Sequence, residues 1–139
     1  MLKQLLEDVQ WGALDYLVLD FPPGTGDEAL SACQMITGNK QAVIVTTPQE
    51  VSLADCRKCV DFCRQVNVPI AGIIENMSGF VCPDCGKRHE IFSSGGGKKL
   101  AELAQAPLLA QLPLDPEFLK KCDSGDVAGA LSSSPAIAG

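Results

Sequence analysis

The chain has 139 residues, 46% of them hydrophobic, enough for one domain with its own core rather than a disulfide-stapled miniature or a disordered segment. A formal net charge of −6 with no cluster of Lys and Arg disfavours a nucleic-acid or anionic-membrane partner, since either needs positive charge concentrated on one face. Seven cysteines, an odd number, fit a closed disulfide framework poorly, so reduced thiols are expected.

Leu2, Leu5, Leu6 and Val9 recur at helical spacing and Gly12 stops the pattern, which predicts a short amphipathic helix from Leu2 to Gln10. Glu7 and Asp8 stand where a signal peptide needs an apolar stretch, and no later run is long enough to span a bilayer; a cytoplasmic protein is expected. The unbroken apolar run Tyr16 to Leu19 ends at Asp20 and a Pro-Pro-Gly turn, as a buried parallel strand does. Asp27 suits the cap of a helix carrying Ala29, Leu30, Cys33 and Ile36, and Gln41 to Thr46 makes a second strand. Ser52 is a candidate cap for a helix through Val66, and Pro69 to Ile74 supplies a third strand.

A cysteine-bearing loop interrupts the pattern. Beyond it SSGGG leads into a helix over KKLAELAQ, PLLAQLPL reads as a fourth strand, and DPEFLKKC as one or two helical turns. The alternation predicts an α/β fold: a parallel sheet with right-handed crossovers, helices on its faces and functional groups at the carboxyl ends of its strands. One domain is expected over 1–125, followed by a mobile tail over 126–139, where the residues are small, polar and loosely patterned.

Asp20 follows four apolar residues, the place where phosphate-binding folds put a carboxylate that orients magnesium or its water. Gly24, Thr25 and Gly26 offer flexible backbone whose N–H groups can approach a phosphate. The same residues also suit a plain turn with Asp27 capping the next helix.

Taken in order, LDYLVLDFPPGTGDEAL, VTTPQEVSLADCRK, IIENMSGFVCPDCGK and GGGKKLAELAQAPLLAQLPLDPEF resemble the C-terminal part of the Mrp/Nbp family of ATP-binding iron–sulfur cluster carriers, over nearly the whole chain. The resemblance implies part of a doubly wound P-loop NTPase sheet of the deviant Walker A type with a protruding Cys-x-x-Cys loop. It also implies a dimer holding a [4Fe–4S] cluster between subunits, and ATP with Mg2+ governing the loading or transfer of that cluster to apo iron–sulfur proteins. By the same resemblance Asp20 matches the Walker B acid, Gly24 to Gly26 a switch loop sensing the terminal phosphate, and Asn76 an adenine-contacting asparagine. Pro113 and Asp115 match the loop beside base and ribose, and Cys82 and Cys85 the cluster-binding pair.

The family's glycine-rich loop with its lysines belongs ahead of the stretch with which this sequence begins, so hydrolysis is expected of the complete family domain. FSSGGGKKL is no substitute: G-x-x-x-x-G-K-[ST] would need Gly at Phe92 and Ser or Thr at Lys99. Its glycines suit a tight turn and close helix packing, with N–H groups that can also meet an anion.

Cys56, Cys59 and Cys63 fall at helical offsets with Leu53 and Val66 on the same face, so they read as small packing groups, as do the isolated Cys33 and Cys122. Cys82 and Cys85 differ, because Pro83, Asp84 and Gly86 make a compact turn that aims both sulfurs the same way. A thiolate-bound metal wants four ligands, and two loops meeting on a twofold axis supply them. A homodimer is therefore expected, or a complementary subunit bearing the phosphate loop. The alternatives are a zinc knuckle completed by His89, another cysteine or a partner, a piece with no activity of its own, and, behind these, a dithiol–disulfide oxidoreductase.

Overall fold

The computed structural model describes residues 2–82 and 85–134. Helix α1 spans Leu2–Glu7 and α2 Asp27–Met35; strand β1 spans Ala42–Thr46, α3 Glu50–Gln65, β2 Ile70–Val81 and β3 Arg88–His89. Helix α4 runs over Gly96–Ala104, β4 over Leu108–Leu114, α5 over Pro116–Asp123 and α6 over Val127–Ser133.

Strand β2 is the centre of the sheet. It pairs in parallel with β1 on one side and with β4 on the other, while its far end pairs antiparallel with β3. The connections β1–α3–β2 and β2–α4–β4 are the strand–helix–strand units that the alternating apolar runs predict. Parallel register puts Thr46 beside Glu75 and Glu75 beside Gln111, so the carboxyl ends of all three strands open on one edge.

Both crossover helices lie on one face of the sheet. Helix α3 buries Leu53, Cys56, Val60 and Cys63, one stripe at spacings of three and four residues. These meet Ile44 of β1, Ile73 of β2 and Leu100 and Ala101 of α4 in a single core. The expected tight packing of the glycine run is real: a Cβ on Gly96 would stand 2.8 Å from Leu53 Cδ1 and 3.1 Å from the Pro48 carbonyl oxygen. On the opposite face Val43, Val45 and Leu109 are exposed.

Several expectations are corrected. Tyr16 to Leu19 do not form a strand, and Tyr16 and Val18 are each 87% exposed. An apolar run becomes a buried parallel strand only when neighbours cover its edges and faces, and among the described residues no strand pairs with it. The first helix stops at Glu7, short of Gln10, and Trp11 Nε1 folds back to donate to the Leu5 carbonyl at 2.9 Å. Gln49, not Ser52, is the N-cap of α3; Ser52 Oγ instead accepts from the Thr47 N–H at 3.2 Å.

Strand β2 also runs past Ile74 to Val81, through left-handed backbone at Met77 (φ 57) and Gly79 (φ 86). The tail expected from 126 is helical over Val127–Ser133, where Asp126 caps the first turn by accepting from the Gly129 N–H at 3.0 Å and Ala130 is buried. Residues 135–139 of that tail lie outside the described residues.

Candidate functional site

The residues singled out by sequence fall in three places: a hairpin carrying the cysteine pair, the edge formed by the carboxyl ends of β2 and β4, and the segment between α1 and α2. The hairpin begins where β2 changes register against β4 between Asn76 and Phe80, the interval that holds the left-handed Met77 and Gly79. Beyond it Phe80 pairs with His89 and Val81 with Arg88. The turn closes with the Cys82 N–H donating to the Lys87 carbonyl at 3.0 Å and the Gly86 N–H donating to the Cys82 carbonyl at 2.9 Å. Gly86 has φ +67, which explains the glycine after the second cysteine.

Cys82 and Cys85 therefore stand at the tip of a two-stranded arm, the first half-buried and the second exposed. Pro83 and Asp84, expected to shape the turn, lie outside the described residues. His89 is exposed on β3, paired with Phe80. Among the described residues no three His, Cys, Asp or Glu side chains come together to hold a metal ion.

Cys56, Cys59 and Cys63 are packing groups, as their helical spacing implies, and the isolated Cys33 and Cys122 are half-buried. Cys56 and Cys63 are buried, and Cys56 Sγ donates to the Val45 carbonyl at 3.6 Å. Burial pushes the Cys59 and Cys63 thiols up, and neighbouring thiols add to the effect. Protonated thiols of this kind are poor metal ligands.

At the strand edge, Asn76 pairs with Leu112, next to Pro113. Asn76 Oδ1 accepts from the Met77 N–H at 2.9 Å. Asp115 follows the end of β4 and caps α5: its Oδ1 accepts from the N–H groups of Glu117 at 3.0 Å and Phe118 at 3.1 Å, and its Oδ2 from Ser134 Oγ at 2.8 Å. The Phe118 N–H, with Ser134 and Glu117, holds its carboxyl below the usual aspartate range. Asn76, Pro113 and Asp115 are thus gathered on one edge.

Asp20 and Gly24, Thr25 and Gly26 occupy the irregular segment between α1 and α2. Asp20 is exposed, Gly24 has φ +102, and Gly26 is the N-cap of α2. The Gly24 N–H lies against the Cys59 thiol, where it opposes the upward push of burial. Among the described residues no hydrogen bond or ion pair joins this segment to Asn76 or Asp115.

Sequence reasoning missed Glu75, the most engaged side chain near the site. It is 0% exposed. Oε1 accepts from Ser78 Oγ at 2.7 Å and Gln111 Nε2 at 2.8 Å, and Oε2 accepts from the Gly97 N–H at the start of α4. Burial pushes this carboxyl up, but the Gly97 N–H, the Ser78 hydroxyl, the Gln111 amide and the Arg88 charge outweigh it and hold it below the usual glutamate range. Gly97 is glycine for this contact, since a Cβ there would stand 2.7 Å from Glu75 Cβ. The anion that meets the glycine run is the protein's own carboxylate. An acid set directly after the apolar run Ile70 to Ile74 was the available signal.

A family model described as ParA, NUBPL iron-transfer P-loop NTPase, matches residues 1–138. A cytosolic Fe-S cluster assembly factor Nubp2 homolog from Anopheles gambiae is 53% identical over 131 residues, which are 93% of this chain and 48% of that protein. A NUBP2 homolog with the same description from Culex quinquefasciatus is 58% identical over 118 residues, 84% of this chain and 46% of that one. Among solved structures, a nucleotide-binding protein from Archaeoglobus fulgidus in complex with ADP superposes with a TM-score of 0.82 at 38% identity, covering 98% of this chain and 54% of the other. The chain spans about half the length of the curated relatives it matches.

Proposed function

The chain belongs to the NUBPL iron-transfer P-loop NTPase family (ParA), and from that premise we propose that it presents Cys82 and Cys85 to an iron–sulfur cluster that is cargo to be delivered to apo iron–sulfur proteins. The observation that carries this reading is the hairpin. It sets Cys82 and Cys85 at the tip of an arm, while among the described residues the donor set of one chain stays short of a metal site.

Thiolates, not thiols, bind such a cargo. A [4Fe–4S] cluster takes four cysteine sulfurs, so two arms facing each other across a twofold axis complete the set. The partner is a second copy of the chain or a subunit that also bears the phosphate loop. An exposed tip suits hand-over, because a recipient's thiols reach the cluster without opening the core.

The strand edge forms the nucleotide side. Asn76, Pro113 and Asp115 face base and ribose, with Asp115 holding the loop through its cap bonds. Asp20 would hold Mg2+ or its water, which would neutralise phosphate charge, and the backbone N–H groups of Gly24, Thr25 and Gly26 would meet the terminal phosphate of ATP. Charge neutralisation and phosphate positioning dominate phosphoryl transfer, so hydrolysis uses a phosphate-binding loop from outside these residues. The relatives are named cytosolic, and the chain works in the same compartment.

Anaerobic reconstitution tests the cargo. Wild type is expected to turn brown, with equimolar iron and sulfide and a dimer mass by light scattering, and Cys82→Ala or Cys85→Ala to lose both elements. Full iron and sulfide in either variant, or tightly held zinc without sulfide in wild type, overturns the reading.

A further inference from the structure

The cysteine arm leaves the sheet through an interval that ought to pivot. Between Asn76 and Phe80 the ladder to β4 shifts register, and Met77 and Gly79 are left-handed. Beyond Phe80 the described backbone of the arm includes the Val81–Arg88 pair and the two bonds of the Cys82 to Lys87 turn. A two-stranded arm gains a fixed angle for its thiols from a side-chain tie to the sheet.

That tie is visible. Arg88, on the returning strand of the arm, folds its side chain back onto the pivot: Nη2 donates to the Ser78 carbonyl at 2.7 Å and approaches Ser78 Oγ at 3.4 Å. Gly79 leaves the room, since a Cβ there would lie 2.9 Å from Arg88 Nε. Ser78 is buried and donates to Glu75, whose carboxylate is fixed by the Gly97 N–H of α4 and by Gln111 of β4. The series runs from the sheet floor to the arm: Gly97 and Gln111, Glu75, Ser78, Arg88.

We infer that Arg88 is a positioning residue for the cluster-binding arm, clamped to the sheet through Ser78 by the buried carboxylate of Glu75. The inference rests on the proposed role of Cys82 and Cys85. One nitrogen of the planar guanidinium, Nη2, reaches both the carbonyl and the hydroxyl of Ser78, a long flat reach that a lysine ammonium does not reproduce. Gln111 lies two residues before Pro113 and Glu75 directly precedes Asn76, so the same carboxylate braces the arm and the strand edge of the nucleotide side.

The test compares wild type with Arg88→Met, which keeps the stem and removes the fork, and Arg88→Lys, which keeps only the charge. In metal-free protein, hydrogen exchange at the Cys82 and Gly86 amides is expected to speed up about tenfold in Arg88→Met and less in Arg88→Lys, while amides of β1 keep their protection. After reconstitution, chelator-driven loss of iron is expected to speed up about tenfold in Arg88→Met, with iron and sulfide content at loading close to wild type. Wild-type exchange at both amides together with wild-type iron loss overturns the inference. Should Arg88→Met fail to fold, as lost β1 protection reveals, Arg88→Lys carries the same two readouts. If wild type itself takes up no iron and sulfide, the proposed function fails, and amide exchange alone judges the clamp.

Discussion

Replacing Glu75 by glutamine changes one atom type in a site where every oxygen is in use. The carboxylate accepts from Ser78 Oγ, Gln111 Nε2 and the Gly97 N–H, and it is 0% exposed. Glutamine keeps one acceptor oxygen. If that oxygen faces Ser78 and Gln111, its NH2 opposes the Gly97 N–H. If it faces Gly97, the hydroxyl of Ser78 and the amide of Gln111 must both reorient. A buried donor left without its acceptor costs about 1–3 kcal/mol, and losing the negative charge at the start of α4 adds about 0.3–1 kcal/mol. Glu75→Gln is therefore expected to destabilise the chain by about 2 kcal/mol at pH 7, read as a lower urea midpoint by circular dichroism at unchanged slope.

The same pair of proteins has a pH signature. The Glu75 carboxyl is held below the usual glutamate range when folded. Its contribution is thus fully present above the unfolded pKa and is lost as pH falls through the folded value. Glutamine does not titrate, so the stability gap should be constant from neutral pH down to about the ordinary glutamate value of ~4.3 and shrink below it. Equal midpoints at pH 7, or a gap that stays full at the acid end, would refute the picture of a buried, ionised Glu75.

Asp115→Ala removes the cap of α5 and its bond to Ser134, and a loss of about 1 kcal/mol is expected by urea unfolding. Because the Phe118 N–H and its other partners lower the Asp115 carboxyl when folded, this loss too should be full at neutral pH and fade as pH drops below the usual aspartate range. Val18 is 87% exposed, so Val18→Ser in this chain should shift the unfolding free energy by less than about 0.5 kcal/mol; a shift of about 2 kcal/mol would mean that the segment is packed after all.

The alternation of β1, α3, β2, α4 and β4 was legible because each element carries its own local signal: an apolar run, a helical stripe, a turn residue. The arm was legible in part, through two cysteines at close spacing and a glycine that adopts φ +67. Tyr16 to Leu19 misled for a physical reason, since an apolar run states a demand for neighbours and does not say whether they are present. The extension of β2 was hidden because Asn76, Met77, Ser78 and Gly79 lack the alternation of a strand, and pairing beyond them comes from β3 and from Leu114 of β4. Glu75 was hidden more deeply, as its burial depends on a helix start twenty-two positions later and a strand thirty-six positions later. The candidate nucleotide residues divide likewise: strand register sets Asn76 beside Leu112, just ahead of Pro113 and Asp115, whereas Asp20 and Gly24 to Gly26 sit on a segment with no ladder of its own.

Among the described residues from 81 to 91, none is buried. Small metal-dependent modules draw their folding energy from the ion and melt when stripped. Here the hydrophobic interior is assembled elsewhere, by Ile44, Leu53, Ile73 and Leu100. On the proposed role, emptying the tip would leave an intact scaffold, and a vessel that survives each discharge is one that can be refilled.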